Sequence, residues 1–357
     1  MTAARAVSFA VPTALHPWNA TTVVHAGMGA SEEMIVYLAR ALARQGAAVG
    51  VYAPVPFDEI HEGVWYKPRE EAGRAKRGPV VVSRAPLAGT YLDGFIGRPL
   101  DKILWLQDAK YDDLKASEAS YRKIVVVSHF HRELMVMQHG VDASRFEVIY
   151  NFLLAEHFAR PPKRVKHRFI YCSSPERGLP RLLEMWPKIR ERFPAAELHV
   201  FYGWINAKVL GESADPAWNA LYQKTLAAWD AMGSQPGIVD HGRVDHATLA
   251  RELMMADAWL YPCRYVETCC LTALKARAAS CVPVTTPYGA LKETAASCAT
   301  QFVDHHLEGE AFETAFLAAV ERAVETPEAA RQAMREEALD LYSLDAILPQ
   351  WKELLWR

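Results

Sequence analysis

Two apolar runs, residues 256–261 and 282–286, lie close together in the chain, and the segment between them leaves few folds open. Residues 267–283 read ETCCLTALKARAASCVP, a turn with an acidic residue followed by a short helix-forming stretch. The order is strand, tight turn, helix, strand, and a helical crossover of this kind joins parallel strands. In an open α/β sheet, ligands bind at the carboxyl ends of the strands, which puts Glu267 where small-molecule chemistry occurs.

The same rhythm runs through the rest of the chain. Residues 6–9 form a short apolar run. Residues 31–45 then set Met34, Tyr37, Leu38, Ala41 and Leu42 on one helical face. Ser31 is the expected N-cap and Gly46 the expected stop. Further strands are expected at 47–53, 80–83, 103–106, 124–128 and 146–150. Near residue 155 the pattern breaks: residues 160–167 are basic, carry two prolines and show no period, as a linker does. After it, strands are expected at 168–172, 197–202 and 238–241. Helices are expected from Pro180 (with a kink at Pro187), at 218–232 and at 246–255. The tail, 312–357, reads as all-helical. This is an α/β chain of two doubly wound, Rossmann-like domains, divided at about residues 1–155 and 156–339.

A length of 357 residues suits two such domains better than one core. The formal net charge of −2 supplies no global attraction to nucleic acid, which is not an expected partner. No apolar run reaches the ~18 residues that span a bilayer. The N-terminus, MTAARAVSFAVP, has one Arg and too short an apolar core for a secretory signal. Six cysteines include no CxxC pair, and vicinal Cys269 and Cys270 fall at a helix start, a poor place for a disulfide. The cytoplasm is the expected compartment, with contact at the inner face of the membrane at most peripheral.

Several residues can carry chemistry. Gly27 and Gly29 precede a helix, where free backbone N–H groups would meet a phosphate, or where glycine simply eases a turn. Residues 173–178, SSPERG, follow one strand and precede a helix. Arg177 there is either a diphosphate clamp or a locally paired surface residue. Glu267 either accepts from sugar hydroxyls or compensates the dipole of the helix after it. Lys275, eight residues on, would lie about 80° around that helix, toward a ligand or toward solvent. Gln107 and Asp108 close another strand, where Asp108 would orient a hydroxyl or start a turn. His129 with His131, and Asp304-His305-His306, lack the paired spacing of a zinc site, and no metal is expected. Basic clusters at 67–77 and 160–168 read as solvated loops, with contact to acidic lipid or a phosphorylated acceptor as the other option. A dinucleotide oxidoreductase is disfavoured, because the glycines do not spell GxGxxG.

Taken in order, these fragments resemble the retaining GT-B glycosyltransferases of the "glycosyl transferases group 1", family 4-like, class, many of which build bacterial polysaccharides and lipopolysaccharides. Residues 29–32, GASE, look like the family's Gly-Gly-x-Glu loop. Residues 125–133 and 146–151 are similar to the strands before the interdomain crossing, and residues 174–179, SPERGL, resemble the donor phosphate loop. Residues 200–203 and 242–244 look like the strands and turn beside the nucleotide, and the Glu267 segment like the two-glutamate donor signature.

The resemblance implies two Rossmann-like domains facing across a cleft, the first (1–155) holding the acceptor and the second (156–339) the nucleotide-sugar donor, with the last helix (about 340–357) crossing back to the first domain. It implies hexosyl transfer from a nucleotide-diphosphate sugar, of UDP or GDP type, to a glycan, lipid-linked or small-molecule acceptor, without metal or other cofactor. Glu267, Arg177, Gln107 and Asp108 would be catalytic. Gly29, Ser173, Ser174, Arg177, Gly203, Arg243, Val244, Glu267, Thr268, Cys269, Cys270 and Lys275 would hold the donor. Four positions depart from the pattern. Lys275 stands where the family has its second Glu, Ser173 and Ser174 where an Arg is frequent, Gln107 where a His is frequent, and Ser280 where Gly is usual. A non-catalytic GT-B protein that binds a nucleotide sugar or glycan, or serves as a partner subunit, is the alternative these departures allow.

Overall fold

The computed structural model describes residues 5–14, 17–25, 27–74, 78–89, 92, 100–204, 208, 211, 212 and 215–357. The chain divides into two compact units, Met1–Phe152 together with Leu344–Arg357, and Leu153–Ser343.

In the first unit, short β-branched and apolar runs form β1 (Ala6–Ala10), β2 (Ala48–Ala53), β5 (Val80–Ser83), β6 (Lys102–Trp105), β7 (Lys123–Val126) and β8 (Phe146–Val148). Val80 to Ser83 and Lys102 to Trp105 are buried throughout, as parallel strands covered on both faces must be. With β3 (Glu59–His61) and β4 (Val64–Pro68) the sheet order is β3-β4-β2-β1-β5-β6-β7-β8. Every described pairing in it is parallel except β3 with β4. The β3–β4 edge is absent from the sequence reading. β3 has three residues, and β4 buries only Val64 and Tyr66 while Trp65 points outward.

The first long helix runs Ala30–Arg44, and its N-cap is Gly29 with no side-chain cap, so Ser31 sits in the first turn rather than capping it. Gly46 has φ +86, the left-handed stop foreseen. The C-terminal helix, Leu344–Trp356, belongs to this unit. Its Trp351 packs on Trp105 with ring centroids 4.6 Å apart. Arg122 donates to the Leu354 carbonyl at 2.9 Å, and the Trp356 indole to the Ala6 carbonyl at 3.4 Å.

The second unit holds β9 (Arg168–Tyr171), β10 (Glu197–Val200), β11 (Ile238–Asp240), β12 (Ala258–Tyr261), β13 (Val282–Thr285) and β14 (Gln301–Phe302), ordered β11-β10-β9-β12-β13-β14. All described pairings are parallel. Helix Leu179–Arg192 accommodates Pro187 and buries Trp186 against Phe169. The entering and leaving segments run together: the Leu153 N–H donates to the Tyr342 carbonyl at 2.7 Å, and Leu153 bridges to Ser343. Among the described residues no helix is long and apolar enough to cross a membrane.

Trp351 is fully buried, so Trp351→Ala should lower stability by about 3–5 kcal/mol in urea unfolding. An unchanged midpoint would mean that the last helix is not part of the first unit's core.

Candidate functional site

Sheet order decides where each unit can bind a ligand. In the second unit the chain leaves β9 for β10 on one side, while β12 lies on the other. The β9–β12 seam is therefore a topological switch point, where a crevice opens at the carboxyl ends. Arg177 closes a single 3-10 turn, Pro175–Arg177, after β9, and Glu267 follows β12. The two meet across the seam, with Arg177 Nη1 donating to Glu267 Oε1 at 3.1 Å. The Tyr261 hydroxyl donates to the same oxygen at 2.6 Å. Arg177 Nε reaches Glu176 at 3.4 Å, and the guanidinium carbon lies 4.0 Å from the centre of the Tyr265 ring. Ser174 Oγ donates to the other Glu176 oxygen at 2.5 Å. Among the described residues, Nη2 of Arg177 has no hydrogen-bond partner.

The electrostatics follow from burial. Burial opposes the charge on Arg177, but Glu267 together with Tyr261, Tyr265 and Glu176 outweighs it, and the guanidinium pKa is raised. Burial, then Glu267, holds the Tyr261 phenol well above its ordinary value, so it stays a donor. Burial also pushes the Cys263 thiol up to about 12 and Cys270 well above its usual range. These thiols are neutral and cannot act as thiolate nucleophiles at neutral pH.

The other expected donor residues fall nearby in different degrees. Ser173 and Ser174 are buried in the Arg177 loop, and Gly178 has φ +150 with the Pro262 carbonyl 3.0 Å from where a Cβ would sit. Gly203, after β10, and Arg243, after β11, touch: a Cβ on Gly203 would lie 3.1 Å from the Arg243 nitrogen. Val244, half-buried, follows Arg243 in the same turn. Thr268 and Cys269 continue the Glu267 loop, and Cys270 is the N-cap of helix Leu271–Ala278 in a left-handed conformation, φ 52. The helix starts four residues after Glu267, so Glu267 is not on it and the expected offset of about 80° between the two does not apply. Lys275 is buried, and its ammonium lies 2.9 Å from His246 Nδ1.

The first unit repeats the arrangement at its own switch point, between β1 and β5. Glu32 sits on the helix after β1, and Arg84, with φ 61, follows β5. Arg84 Nη1 lies 3.4 Å from Glu32 Oε1. Its Nε and Nη2 grip both oxygens of Asp108, after β6, at 2.7 and 3.1 Å. Burial opposes the Arg84 charge, and Asp108 followed by Glu32 outweighs it, raising the pKa. The Tyr111 hydroxyl accepts from the backbone N–H of Gln107 and Asp108 at 2.9 and 2.8 Å. Gly29 leaves room for Glu32: a Cβ there would stand 2.4 Å from the carboxylate. Gln107 is tied up instead in a reciprocal amide pair with Asn151, at 3.1 and 3.0 Å.

Sequence reasoning passed over Tyr261, Glu176 and Arg84. Arg84 was within reach, because it is the first residue after an expected strand, the same rule that picked out Gln107 and Asp108. Tyr261 ends its strand and is fully buried, and its reach to Glu267 shows only in three dimensions. His131 is no metal ligand candidate, since its Nδ1 accepts from Val127 N–H at 3.3 Å and its Nε2 meets the Asp108 carbonyl at 3.0 Å. Asp304, His305 and His306 do bring one ligand atom each within 4.8 Å of one another, on an exposed turn. Four residues of the basic clusters form ion pairs: Lys67 with Asp58 and Glu71, Arg69 with Glu70, Arg164 with Glu328, Arg168 with Glu252. Residues 75–77 of the first cluster, like residues 1–4 of the N-terminus, lie outside the described residues.

His131 makes the first unit acid-sensitive. Burial lowers its pKa from 6.5 to about 4. As pH falls below about 6.5 the unfolded chain takes up a proton that the folded unit refuses until about pH 4. Stability is therefore lost through that window, by about 3 kcal/mol in full. Urea unfolding at pH 7.5 and 4.5 should show a smaller pH effect in His131→Gln, by about 2 kcal/mol. Equal pH effects would clear His131 of the role.

No protein-family model and no curated protein matches the chain. Solved structures do. A sucrose-phosphate synthase from Thermosynechococcus elongatus aligns with a TM-score of 0.72 at 15% identity, covering 98% of each chain. A glycosyltransferase from Rickettsia africae ESF-5 gives 0.71 at 14% identity over 99% of this chain and 98% of that one. Anabaena HepE, in complex with UDP-glucose, gives 0.70 at 13% identity over 98% and 99%. Identities this low speak to the fold alone. The structural neighbours are GT-B glycosyltransferases, and this chain has the GT-B fold.

Proposed function

We propose that the chain is a glycosyltransferase that takes a hexose from a nucleotide-diphosphate sugar, with the donor held by the second unit, residues 153–343. The observation that carries this is the Arg177–Glu267 pair across the β9–β12 seam of a GT-B fold. Charge assigns the two ends of the donor. A diphosphate is drawn to the unpartnered Nη2 of Arg177 and repelled by Glu267, so it lies on the arginine side. The sugar lies on the carboxylate side, where its hydroxyls donate to Glu267. Tyr261 holds Glu267 in place from below. As the anomeric bond breaks, negative charge grows on the leaving diphosphate, and Arg177 is already aimed at it. The start of helix Leu271–Ala278 adds a positive dipole end. In this reading transfer proceeds with retention and calls on no metal. Neighbouring structures solved with UDP and UDP-glucose make those the first ligands to try. A lipid-linked acceptor would bring the chain to a membrane surface.

The second reading is a GT-B protein that binds without turnover, and the burial of Lys275 against His246 is what favours it. Thermal unfolding against UDP, GDP, ADP, TDP and CMP, and their sugar conjugates, separates the two. A ligand at 100 times its Kd should add about 2.7 kcal/mol, a rise of several degrees. A shift with a sugar conjugate that is not accompanied by release of its nucleoside diphosphate selects the second reading, as does no shift with any of them. Arg177→Ala should weaken the effective nucleoside diphosphate by about 1.5–3 kcal/mol in calorimetry, and an unchanged affinity removes Arg177 from the site. Lys275→Glu should change that affinity too, and if it does not, Lys275 has no part in the nucleotide site.

A further inference from the structure

The turn after β14 gathers Asp304, His305 and His306, and one ligand atom from each lies within 4.8 Å of the others. Three consecutive residues are not the spacing of a zinc finger, and only the fold of the turn brings their side chains together. Asp304 makes that fold. Its Oδ1 accepts from the His306 N–H at 2.9 Å, and its carbonyl accepts from the Leu307 N–H at 3.3 Å. The rings of His305 and His306 then stand with centroids 4.0 Å apart, tilted by 37°. A second observation concerns His305. Among the described residues its Nδ1 is buried and has no hydrogen-bond partner. A ring nitrogen in that state carries its desolvation cost with nothing to offset it. The ring is held in place, packing on Tyr288 with centroids 5.1 Å apart. Beyond it the turn is anchored by Arg264, which donates to the Leu307 carbonyl at 2.8 Å and pairs with Glu308 at 3.1 Å. Two carboxylates, Asp304 and Glu308, thus stand against one guanidinium, and a cation is welcome.

We infer that Asp304, His305 and His306 form a site for a divalent transition metal, with zinc as the reference ion. Two imidazoles and one carboxylate suit zinc, nickel and copper, whereas calcium and magnesium are held by oxygen alone. At bonds of about 2.0–2.2 Å, a tetrahedral ion sets its donors about 3.3 Å apart, so these donors close by about 1.5 Å at most. Asp304 and His306 are exposed and can rotate to do so, while His305 stays against Tyr288. Asp304 keeps Oδ1 on the His306 N–H, which leaves Oδ2 for the metal. A lone pair on His305 Nδ1 then has the partner it lacks, and a fourth position is left to water. Bound there, the ion cross-links the turn between β14 and helix Gly309–Val324. It takes no part in the transfer proposed above.

The test uses the full chain, stripped with a chelator and dialysed, with zinc, nickel and magnesium salts as the calorimetric probes. Zinc should bind about a hundredfold or more tightly than magnesium. Asp304→Asn, His305→Ala and His306→Ala should each weaken zinc at least tenfold. Cys298→Ser, which removes the exposed thiol, should leave the zinc Kd unchanged. Cobalt(II) in place of zinc should absorb without a thiolate charge-transfer band. A metal-free thermal midpoint equal to that of the wild type reports an intact chain, and three variants are used so that a folding defect in one does not decide the matter. Zinc binding that survives all three substitutions overturns the inference. So does equal affinity for magnesium, or saturation only at millimolar zinc, which marks an adventitious ion only.

Discussion

An arginine and a glutamate held across the seam between two parallel strands are an expensive thing to build, and the second unit is arranged around that expense. Taking both charges out of water costs several kcal/mol per ion, and their attraction repays it only with further hydrogen bonds. Tyr261 and Glu176 supply those bonds, and Tyr261 is buried with them. As a stabiliser the pair has little to recommend it, since apolar side chains of similar volume would pack as well or better. What it does provide is a fixed direction: one end of the crevice positive, the other an acceptor. The loops that carry the two residues are shaped to match, with positive φ at Gly178 beside Arg177 and at Cys270 three residues after Glu267.

The strand rhythm was legible because parallel strands in a two-layered sheet are continuous apolar runs. Residues 80–83 could be read to the residue, and 168–171 to within one. What escaped was short or half-exposed. β14 has two residues, β3 buries none of its side chains, and β4 beside it buries only Val64 and Tyr66. Helix starts were less legible than helix stops. Gly46 declared itself by its backbone freedom, whereas Ser31 had the right chemistry two residues too late, because Gly29 already ends the extended segment. Of the site, single residues at strand ends were visible and their partners were not. Arg177 and Glu267 are 90 residues apart in the chain, Arg84 and Glu32 52 apart, and no local pattern encodes which strand ends become neighbours. Sheet order does, and sheet order is a long-range outcome.

Gln107 shows the opposite failure. Its position at a strand end was right for chemistry, yet the side chain is consumed by a complementary amide on Asn151, itself the last residue of a fragment read only as a strand end. Two buried amides satisfying each other leave no polar atom wanting, which is how a candidate for catalysis becomes a strut.

Lys275 is the departure with the widest consequences. Its ammonium has three donors and no acceptor, so the neighbouring His246 must present a lone pair on Nδ1 and carry its proton on Nε2. A protonated His246 would set two cations 2.9 Å apart. Burial lowers the His157 pKa as well, and the Lys275 charge lowers it further. One lysine thus meets His246 at the start of helix His246–Met255 and adds to the burial that lowers the His157 pKa. A carboxylate in its place would face the lone pair of His246 Nδ1 with no proton to donate to it.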